Sequence, residues 1–163
     1  MSKLDKALKD IALVGFDVDG VFTDGRFYLN DNGVESKAFH TQDGYGIRRL
    51  LDEGIEVAII SGRQSAAVYG RMQELGVKHV FQGCKDKVAA FSGLADELKV
   101  GAEATLYVGD DVPDLPLLKH VAVGVAVNNA VDAVKANCMW VTKAHGGFGA
   151  VREVCDRLLD AKS

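Results

Sequence analysis

Two groups of three aspartates follow two apolar runs, Ile11–Phe16 and Thr105–Val108, that are typical of buried strands. The first group is Asp17, Asp19 and Asp24, and the second is Asp110, Asp111 and Asp114. Because ligands bind at the carboxyl ends of the strands in open parallel sheets, we expect the two groups to meet at one sheet edge. Carboxylates gathered in this way repel one another without a cation. Hard oxygen ligands favour magnesium, so the pattern predicts a Mg²⁺ site.

Four residues near this edge have the chemistry required for transfer of a phosphoryl group. The chain turns after its first strand, so Asp17 can attack phosphorus while Asp19 approaches from the leaving-group side as a general acid and base. Ser61 follows a second apolar run and can donate a hydrogen bond to a phosphoryl oxygen. Lys87, at the start of a predicted helix, can supply a fixed cation. Together they predict a reaction through an acyl phosphate on Asp17.

The elements that position these residues alternate between strand and helix along the chain. That order predicts a doubly wound, three-layer α/β fold with a parallel, Rossmann-like sheet. One irregularity follows the first strand, where Arg26–Asn30 and Val34–Phe39 flank an Asn-Gly turn typical of a β-hairpin. We expect one domain over residues 1–163, with the hairpin inserted at about residues 26–39. The predicted helices that follow the hairpin include Asp43–Glu53, Gln64–Leu75, Asp86–Leu98, Pro113–Lys119 and Gly149–Leu159.

Composition excludes several other classes of protein. The net charge is −4 and no basic block is present, which argues against nucleic acid or an anionic membrane as a partner. The three cysteines form no CxxC pair, so neither a disulfide framework nor a zinc knuckle is indicated. No apolar stretch approaches the roughly 18 residues needed to span a bilayer. We therefore expect a soluble, cytoplasmic protein.

Four segments resemble, in order, the four motifs of the haloacid dehalogenase superfamily. They are Phe16–Gly25 (FDVDGVFTDG), Ile60–Arg63 (ISGR), Gly83–Lys87 (GCKDK) and Gly109–Asp114 (GDDVPD). Members with an aspartate at the second position of the DxD pair act on phosphate esters, so Asp19 implies a phosphatase or a mutase. The mutases carry a cap domain that excludes water. Here the chain has room only for the hairpin and for one helix and strand before Lys87, so the resemblance implies a capless hydrolase.

A narrower resemblance is to the 3-deoxy-D-manno-octulosonate 8-phosphate (Kdo 8-phosphate) phosphatase family. It is carried by the DxDGVxTDG motif, the hairpin, Phe39–Ile47 (FHTQDGYGI) and the glycine-rich Gly146–Glu153. The resemblance implies a Mg²⁺-dependent enzyme of lipopolysaccharide biosynthesis. It also implies a homotetramer in which the hairpins pack together and a neighbouring subunit helps to close each active site.

The family's site residues can be carried over where the sequence matches. One Mg²⁺ is assigned to Asp17, Asp110 and the backbone carbonyl of Asp19, with supporting roles for Asp24, Asp111 and Asp114. The substrate set comprises Asp19, His40, Thr41, Gln42, Asp43, Gly44, Gly62, Arg63, Arg71 and Lys87. Arg63 and Arg71 are eight residues apart, which on a helix gives them one face. The guanidinium group of arginine can form two parallel hydrogen bonds to a carboxylate. The pair is therefore predicted to bind the carboxylate of a sugar acid whose phosphate lies at the other end of the molecule.

Two alternatives remain open at this point. Related capless phosphatases act on nine-carbon, sialic-acid-type sugar phosphates. A receiver domain of a response regulator also combines a parallel sheet with an acidic Mg²⁺ site, but its phosphate acceptor follows the third strand. Here the third strand ends at Phe81-Gln82-Gly83, without an aspartate. Release of phosphate over many turnovers would separate an enzyme from a receiver.

Overall fold

Six parallel strands form the central sheet in the computed structural model, which describes all 163 residues. In chain order they are β1 (Leu13–Phe16), β4 (Glu56–Ile60), β5 (His79–Phe81), β6 (Thr105–Gly109), β7 (Val123–Ala126) and β8 (Trp140–Val141). They lie side by side in the order β5-β4-β1-β6-β7-β8. The order reverses direction at β1, so the crevice beside β1 is where a doubly wound fold binds its ligand.

Seven helices flank this sheet. They are α1 (Lys3–Lys9), α2 (Thr41–Asp52), α3 (Ala66–Leu75), α4 (Lys87–Glu97), α5 (Leu115–His120), α6 (Asp132–Lys135) and α7 (Ala150–Lys162). Helices α1, α2 and α7 pack together, and α4 packs with α5. The three-layer α/β architecture predicted from the sequence is confirmed. None of the helices is long and apolar enough to cross a membrane.

Strand β1 is buried on both faces, which is why its sequence is apolar without alternation. Gly15 in its middle permits a close approach of helix α4. A Cβ atom at this position would lie 2.7 Å from the ring of Phe91 and 2.9 Å from the ring of Tyr107. The absence of a side chain therefore lets the start of α4, which carries Lys87, come close to the carboxyl end of β1, which carries Asp17.

The inserted hairpin is present as a separate two-stranded antiparallel sheet of β2 (Tyr28–Leu29) and β3 (Glu35–Ser36). Its strands are shorter than predicted because the turn takes up more of the chain. The side chain of Asn30 accepts hydrogen bonds from the backbone N–H groups of Asn32 and Val34, at 3.0 and 2.9 Å. Tyr28 and Leu29 are exposed. The hairpin thus presents apolar side chains that nothing in the chain covers.

Two local predictions were wrong. Helix α3 begins at Ala66, so Arg63 lies before the helix and does not share a helix face with Arg71. The chain stays extended at Ser65, whose N–H donates to the Gln82 side chain at 2.9 Å. The segment from Pro113 is also not one helix. A 3₁₀ turn, Val112–Asp114, comes first, and α5 follows it.

Candidate active site

The carboxyl ends of β1 and β6 bring three acidic side chains into one cluster. One carboxylate oxygen from each of Asp17, Asp110 and Asp114 lies within 4.8 Å of the others. Asp17 is fixed at the end of β1, where its Oδ1 accepts a hydrogen bond from the N–H of Val18 at 2.8 Å. Members of both aspartate groups therefore meet at one sheet edge, as their positions after adjacent strands require, whereas Asp24 pairs with Arg26 instead.

Lys87 supplies the positive charge in the floor of this cluster. Its Nζ lies 2.8 Å from Asp114 Oδ1 and 3.3 Å from Asp17 Oδ1, and the lysine is nearly buried. The hydroxyl of Tyr107 also donates to Asp114 Oδ1, at 2.7 Å. Burial lowers the pKa of Lys87, but the two carboxylates outweigh that effect and raise it. The ammonium is therefore charged at all ordinary pH values. Tyr107 was not among the predicted residues, and its position inside a buried strand gave no signal of a site.

Asp114 is fully engaged by its neighbours. Its Oδ2 accepts hydrogen bonds from the N–H groups of Asp110 and Asp111, at 3.0 and 3.3 Å, while Oδ1 accepts from Lys87 and Tyr107. Burial raises the pKa of Asp114, but the Lys87 ammonium and these hydrogen bonds outweigh it and lower it. Asp114 is thus an ionised anchor for the loop after β6, with no oxygen left unbonded.

The positive charge near Asp17 and Asp110 is too small to stabilise both carboxyl groups in their ionised form. Burial, followed by the negative charge of Asp114, raises the pKa of Asp17 well above its usual value. The same two causes raise the pKa of Asp110 to about 7. Two carboxyl groups that resist ionisation, side by side in an accessible cleft, fit a divalent cation, whose charge would remove the penalty.

A cavity of about 350 Å³ opens over this floor. Nine of the predicted site residues line it, and they are Asp17, Asp19, Ser61, Gly62, Arg63, Lys87, Asp110, Asp111 and Asp114. Ser61 is buried at the end of β4, where its N–H donates to the carbonyl of Phe81 and its Oγ accepts from the N–H of Arg63. The cavity has the size of a small-ligand site and joins the ends of three strands.

The remaining predicted residues lie outside this cavity. They are Asp24, His40, Thr41, Gln42, Asp43, Gly44 and Arg71. His40 caps helix α2, since its Nδ1 accepts from the N–H of Gln42 at 3.1 Å. Asp43 is buried, and its Oδ1 accepts from the N–H of Arg152 in the first turn of α7. Arg71 pairs with Glu74 on its own helix and lies over Gly44, where the guanidinium would have to shift to admit a side chain.

Sequence reasoning missed two hairpin residues that reach the site. Lys37 Nζ lies 2.6 Å from Asp19 Oδ1, and no part of the Lys37 side chain is exposed. Glu35 lies 3.5 Å from the same ammonium and also pairs with Arg63. A signal was available, because residues two apart on a strand share a face, and Glu35 and Lys37 carry opposite charges on one face of the hairpin.

The glycine-rich segment before α7 packs on the loop that follows β1 of the same chain. A Cβ atom at Gly146 would lie 1.8 Å from the carbonyl oxygen of Gly20. The side chain of Asn129 links the two segments, since its Nδ2 donates to the Gly20 carbonyl and its Oδ1 accepts from the N–H of Gly146. The glycines are therefore required for a close backbone contact that supports the loop carrying Asp19.

Comparison with known proteins identifies the family. A family model described as haloacid dehalogenase-like hydrolase matches residues 81–154. The chain is 47% identical, over 154 residues, to the 3-deoxy-D-manno-octulosonate 8-phosphate phosphatase of Escherichia coli K12, covering 94% of this chain and 82% of that protein. The chain belongs to the Kdo 8-phosphate phosphatase family. It is therefore a phosphatase, a phosphoric monoester hydrolase, as its motifs predicted.

Solved structures of this family agree with the fold. The enzyme from Moraxella catarrhalis, in complex with magnesium, phosphate and Kdo, has 41% sequence identity and a TM-score of 0.96, over 99% of this chain and 93% of that one. The cobalt-bound enzyme from Haemophilus influenzae has 42% identity and a TM-score of 0.93, over 96% and 91%. Both of these family members are described with a divalent metal, which agrees with the acidic cluster found here.

Proposed function

We propose that this phosphatase hydrolyses Kdo 8-phosphate to Kdo and phosphate, with Mg²⁺ and through an aspartyl-phosphate on Asp17. The observation that carries the proposal is the floor of the cavity. There Asp17, with its pKa raised by burial and neighbouring carboxylates, lies 3.3 Å from the buried Lys87 ammonium. The floor is open to a ligand-sized cavity in a chain 47% identical to an enzyme named for this substrate.

The proposed metal ligands are Asp17, Asp110 and the backbone carbonyl of Asp19. Asp114 is a poor candidate because hydrogen bonds from Lys87, Tyr107 and two backbone N–H groups already occupy its oxygens. The carbonyl of Asp19 accepts no hydrogen bond within the protein. When bound, Mg²⁺ would neutralise charge on these oxygens and on the phosphoryl group. The raised pKa of Asp110 supports the fit, since that group gains most from a cation.

The chemistry proposed for the side chains proceeds in two steps. A carboxylate oxygen of Asp17 forms a bond to phosphorus, the bond from phosphorus to the sugar oxygen breaks, and Asp19 gives its proton to that oxygen. A water molecule then attacks the phosphorus, Asp19 takes a proton from the water, and the bond from phosphorus to Asp17 breaks. Lys87 and Ser61 stabilise the charge on the phosphoryl oxygens in both steps. Phosphate leaves, and Asp17 and Asp19 return to their starting states.

Recognition of the sugar acid is proposed to involve more than one subunit. Of the two predicted substrate-binding arginines, only Arg63 lines the cavity within the chain. His40–Gly44 and Arg71 lie elsewhere and would contact a substrate held by a neighbouring copy. The exposed Tyr28 and Leu29 support such packing, because a hairpin this short needs further apolar cover. We therefore propose a homotetramer of single-domain chains, each with its hairpin at about residues 26–39, that acts in the cytoplasm in lipopolysaccharide biosynthesis.

Phosphate release from a panel of substrates tests this function. Kdo 8-phosphate, a nine-carbon sialic-acid-type phosphate, a neutral hexose phosphate and p-nitrophenyl phosphate should be compared by kcat/KM, each with Mg²⁺ and with excess chelator. We expect Kdo 8-phosphate to exceed the nine-carbon substrate at least tenfold, and chelator to abolish activity on all four. A preference for the nine-carbon phosphate would move the assignment to that related activity. Full activity in chelator would refute the metal requirement.

A further inference from the structure

A chain of alternating charges crosses one side of the cavity and joins the hairpin to the sheet. It runs from Asp19 through Lys37 and Glu35 to Arg63. Asp19 follows β1 and Arg63 follows β4, whereas the two middle residues belong to the hairpin. Phe27 adds a further contact, since the Arg63 guanidinium lies 4.4 Å from the centre of its ring. We call these four charged residues the hairpin clasp.

Lys37 is the unusual member of the clasp. Its side chain is fully enclosed, although the hairpin that carries it is largely exposed. An ammonium is enclosed at a net cost unless close carboxylates repay its lost hydration. Here that partner is Asp19 at 2.6 Å, with Glu35 at 3.5 Å. On an exposed hairpin, the Lys37 side chain could extend into solvent. Its enclosed position therefore depends on the specific contacts with Asp19 and Glu35.

The contact divides the two oxygens of Asp19 between two tasks. Oδ1 accepts the hydrogen bond from Lys37, which is the only hydrogen bond that the Asp19 side chain makes in the structure. Oδ2 has no partner within the protein, and Asp19 lines the cavity. A carboxyl group with one oxygen held has lost the freedom to rotate away. The other oxygen stays available for the leaving group.

We infer that Lys37 is a positioning residue for the reaction, which holds the carboxyl group of Asp19 toward the leaving-group oxygen. The inference rests on the proposed function, in which Asp19 is the general acid. It assigns the hairpin a part in the chemical step within its own subunit, in addition to any part in assembly. Because Lys37 acts through Asp19, its effect on the rate depends on how far the leaving-group oxygen must be protonated. It does not depend on how tightly the sugar is bound.

The test compares two leaving groups in the variant Lys37→Met. For Kdo 8-phosphate, whose alkoxide must be protonated, we expect kcat to fall about ten- to a hundredfold with KM nearly unchanged, the range for losing a hydrogen bond to a charged group. For p-nitrophenyl phosphate, whose phenolate leaves without a proton, we expect kcat/KM to change less than about threefold, because kcat/KM reports the first step only. Ser36→Met is the matched control, since it introduces the same side chain on the opposite face of β3, and it should leave both substrates unaffected.

Several results would overturn the inference. They are a rise in KM without a fall in kcat, an equal loss on both substrates, or an equal loss in Ser36→Met.

A double-mutant cycle separates this failure from failure of the proposed mechanism. In an Asp19→Asn background, Lys37→Met should have no further effect, whereas Asp19→Asn alone should lower kcat for Kdo 8-phosphate. If Asp19→Asn is fully active, the proposed mechanism fails first. If Lys37→Met does not fold, Lys37→Arg, which keeps a charged donor, should retain more kcat than Lys37→Gln, and the reverse order would contradict the role.

Discussion

The floor of the cavity and the hairpin beside it hold their charged groups in different ways. In the floor, Lys87 is buried at the start of α4 and Asp114 in the turn after β6, and every oxygen of Asp114 is fixed by a donor from the surrounding fold. In the hairpin, Glu35 lies on a strand of two residues, and Lys37 directly follows that strand. The floor is built on the carboxyl end of the sheet, whereas the hairpin contacts the rest of the chain at its base and its apolar tip is exposed.

This difference associates the floor with steps common to all substrates and the hairpin with effects that depend on the substrate, either on its leaving group or on its sugar. Groups that must stay within a fraction of an ångström of the reacting atoms are best placed on a rigid sheet edge. Groups that distinguish one phosphate ester from another can lie on a less rigid element, such as this short hairpin. Changes in the floor should therefore affect every substrate, and changes in the hairpin or its partners should affect some substrates and not others. The four predictions below test this, from the largest expected effect to the smallest.

The largest effect is expected in the floor. Asp17→Asn should lower kcat by about 10³-fold or more on both Kdo 8-phosphate and p-nitrophenyl phosphate, because an amide cannot attack phosphorus. Single-turnover and steady-state phosphate release measure this. Asp31→Asn makes the same chemical change at the exposed hairpin turn and should be fully active. More than a tenth of the original rate in Asp17→Asn would eliminate the covalent mechanism.

The raised pKa of Asp110 predicts that the stability of the metal-free protein falls as the pH rises. Its pKa of about 7 in the folded state is above the ordinary value of 3.8, so the folded protein binds a proton that the unfolded chain has released. The stability from this group is complete below pH 4 and is lost as pH rises through 7. The free energy of unfolding should fall by on the order of 2–4 kcal/mol between pH 5 and 8.

Denaturant titrations in chelator at several pH values measure this fall. Asp110→Asn should flatten it, because the amide does not titrate, and saturating Mg²⁺ should oppose it by replacing the proton. The hairpin has no comparable group, so Glu35→Gln should leave the slope as it is. Equal slopes for the original protein and Asp110→Asn would show that Asp110 does not carry the uncompensated charge.

Arg71→Ala tests whether residues outside the cavity select the substrate. We expect KM for Kdo 8-phosphate to rise about 10- to 150-fold, the cost of losing a charge-assisted hydrogen bond, and KM for p-nitrophenyl phosphate to stay constant. Only the sugar acid has a carboxylate to lose. Glu74→Gln removes the ion-pair partner of Arg71 on the same helix and is the control. Equal weakening of both substrates, or of neither, would reject the carboxylate clamp.

The smallest effect on rate is expected at the hairpin tip. Leu29→Asp places a charge on an exposed apolar strand residue and should dissociate the proposed tetramer. Light scattering should then give a mass close to the 17.4 kDa of one chain. KM for Kdo 8-phosphate should rise at least as far as in Arg71→Ala, because the neighbour's Arg71 is lost with the tetramer, while kcat and the activity on p-nitrophenyl phosphate stay nearly unchanged. Asn32→Asp adds the same charge at the turn as a control. A mass near 17.4 kDa for the unaltered protein would contradict the tetramer itself.

The placement of the candidate site residues was predictable to the extent that each of them lies at the end of a strand. Asp17, Ser61 and Asp110 follow apolar runs that could only be buried strands, and the parallel order brings such ends together. Arg63 and Arg71 were wrongly placed on one helix face because the start of α3 is decided by Gln82, which lies 17 residues from Ser65 in sequence. Local helix propensity carries no information about that contact.

The sequence by itself determined the α/β fold, the order of the four motifs and the kind of chemistry at the sheet edge. These depend on hydrophobic periodicity and on residue types at strand ends, both of which are local properties. Only the tertiary structure decided that Lys87 binds Asp114, that Asp43 caps α7, and that Lys37 reaches Asp19. Each of these contacts joins segments whose separation is set by the packing of the whole sheet. The cost of leaving a buried charge without a partner then fixes which side chains meet.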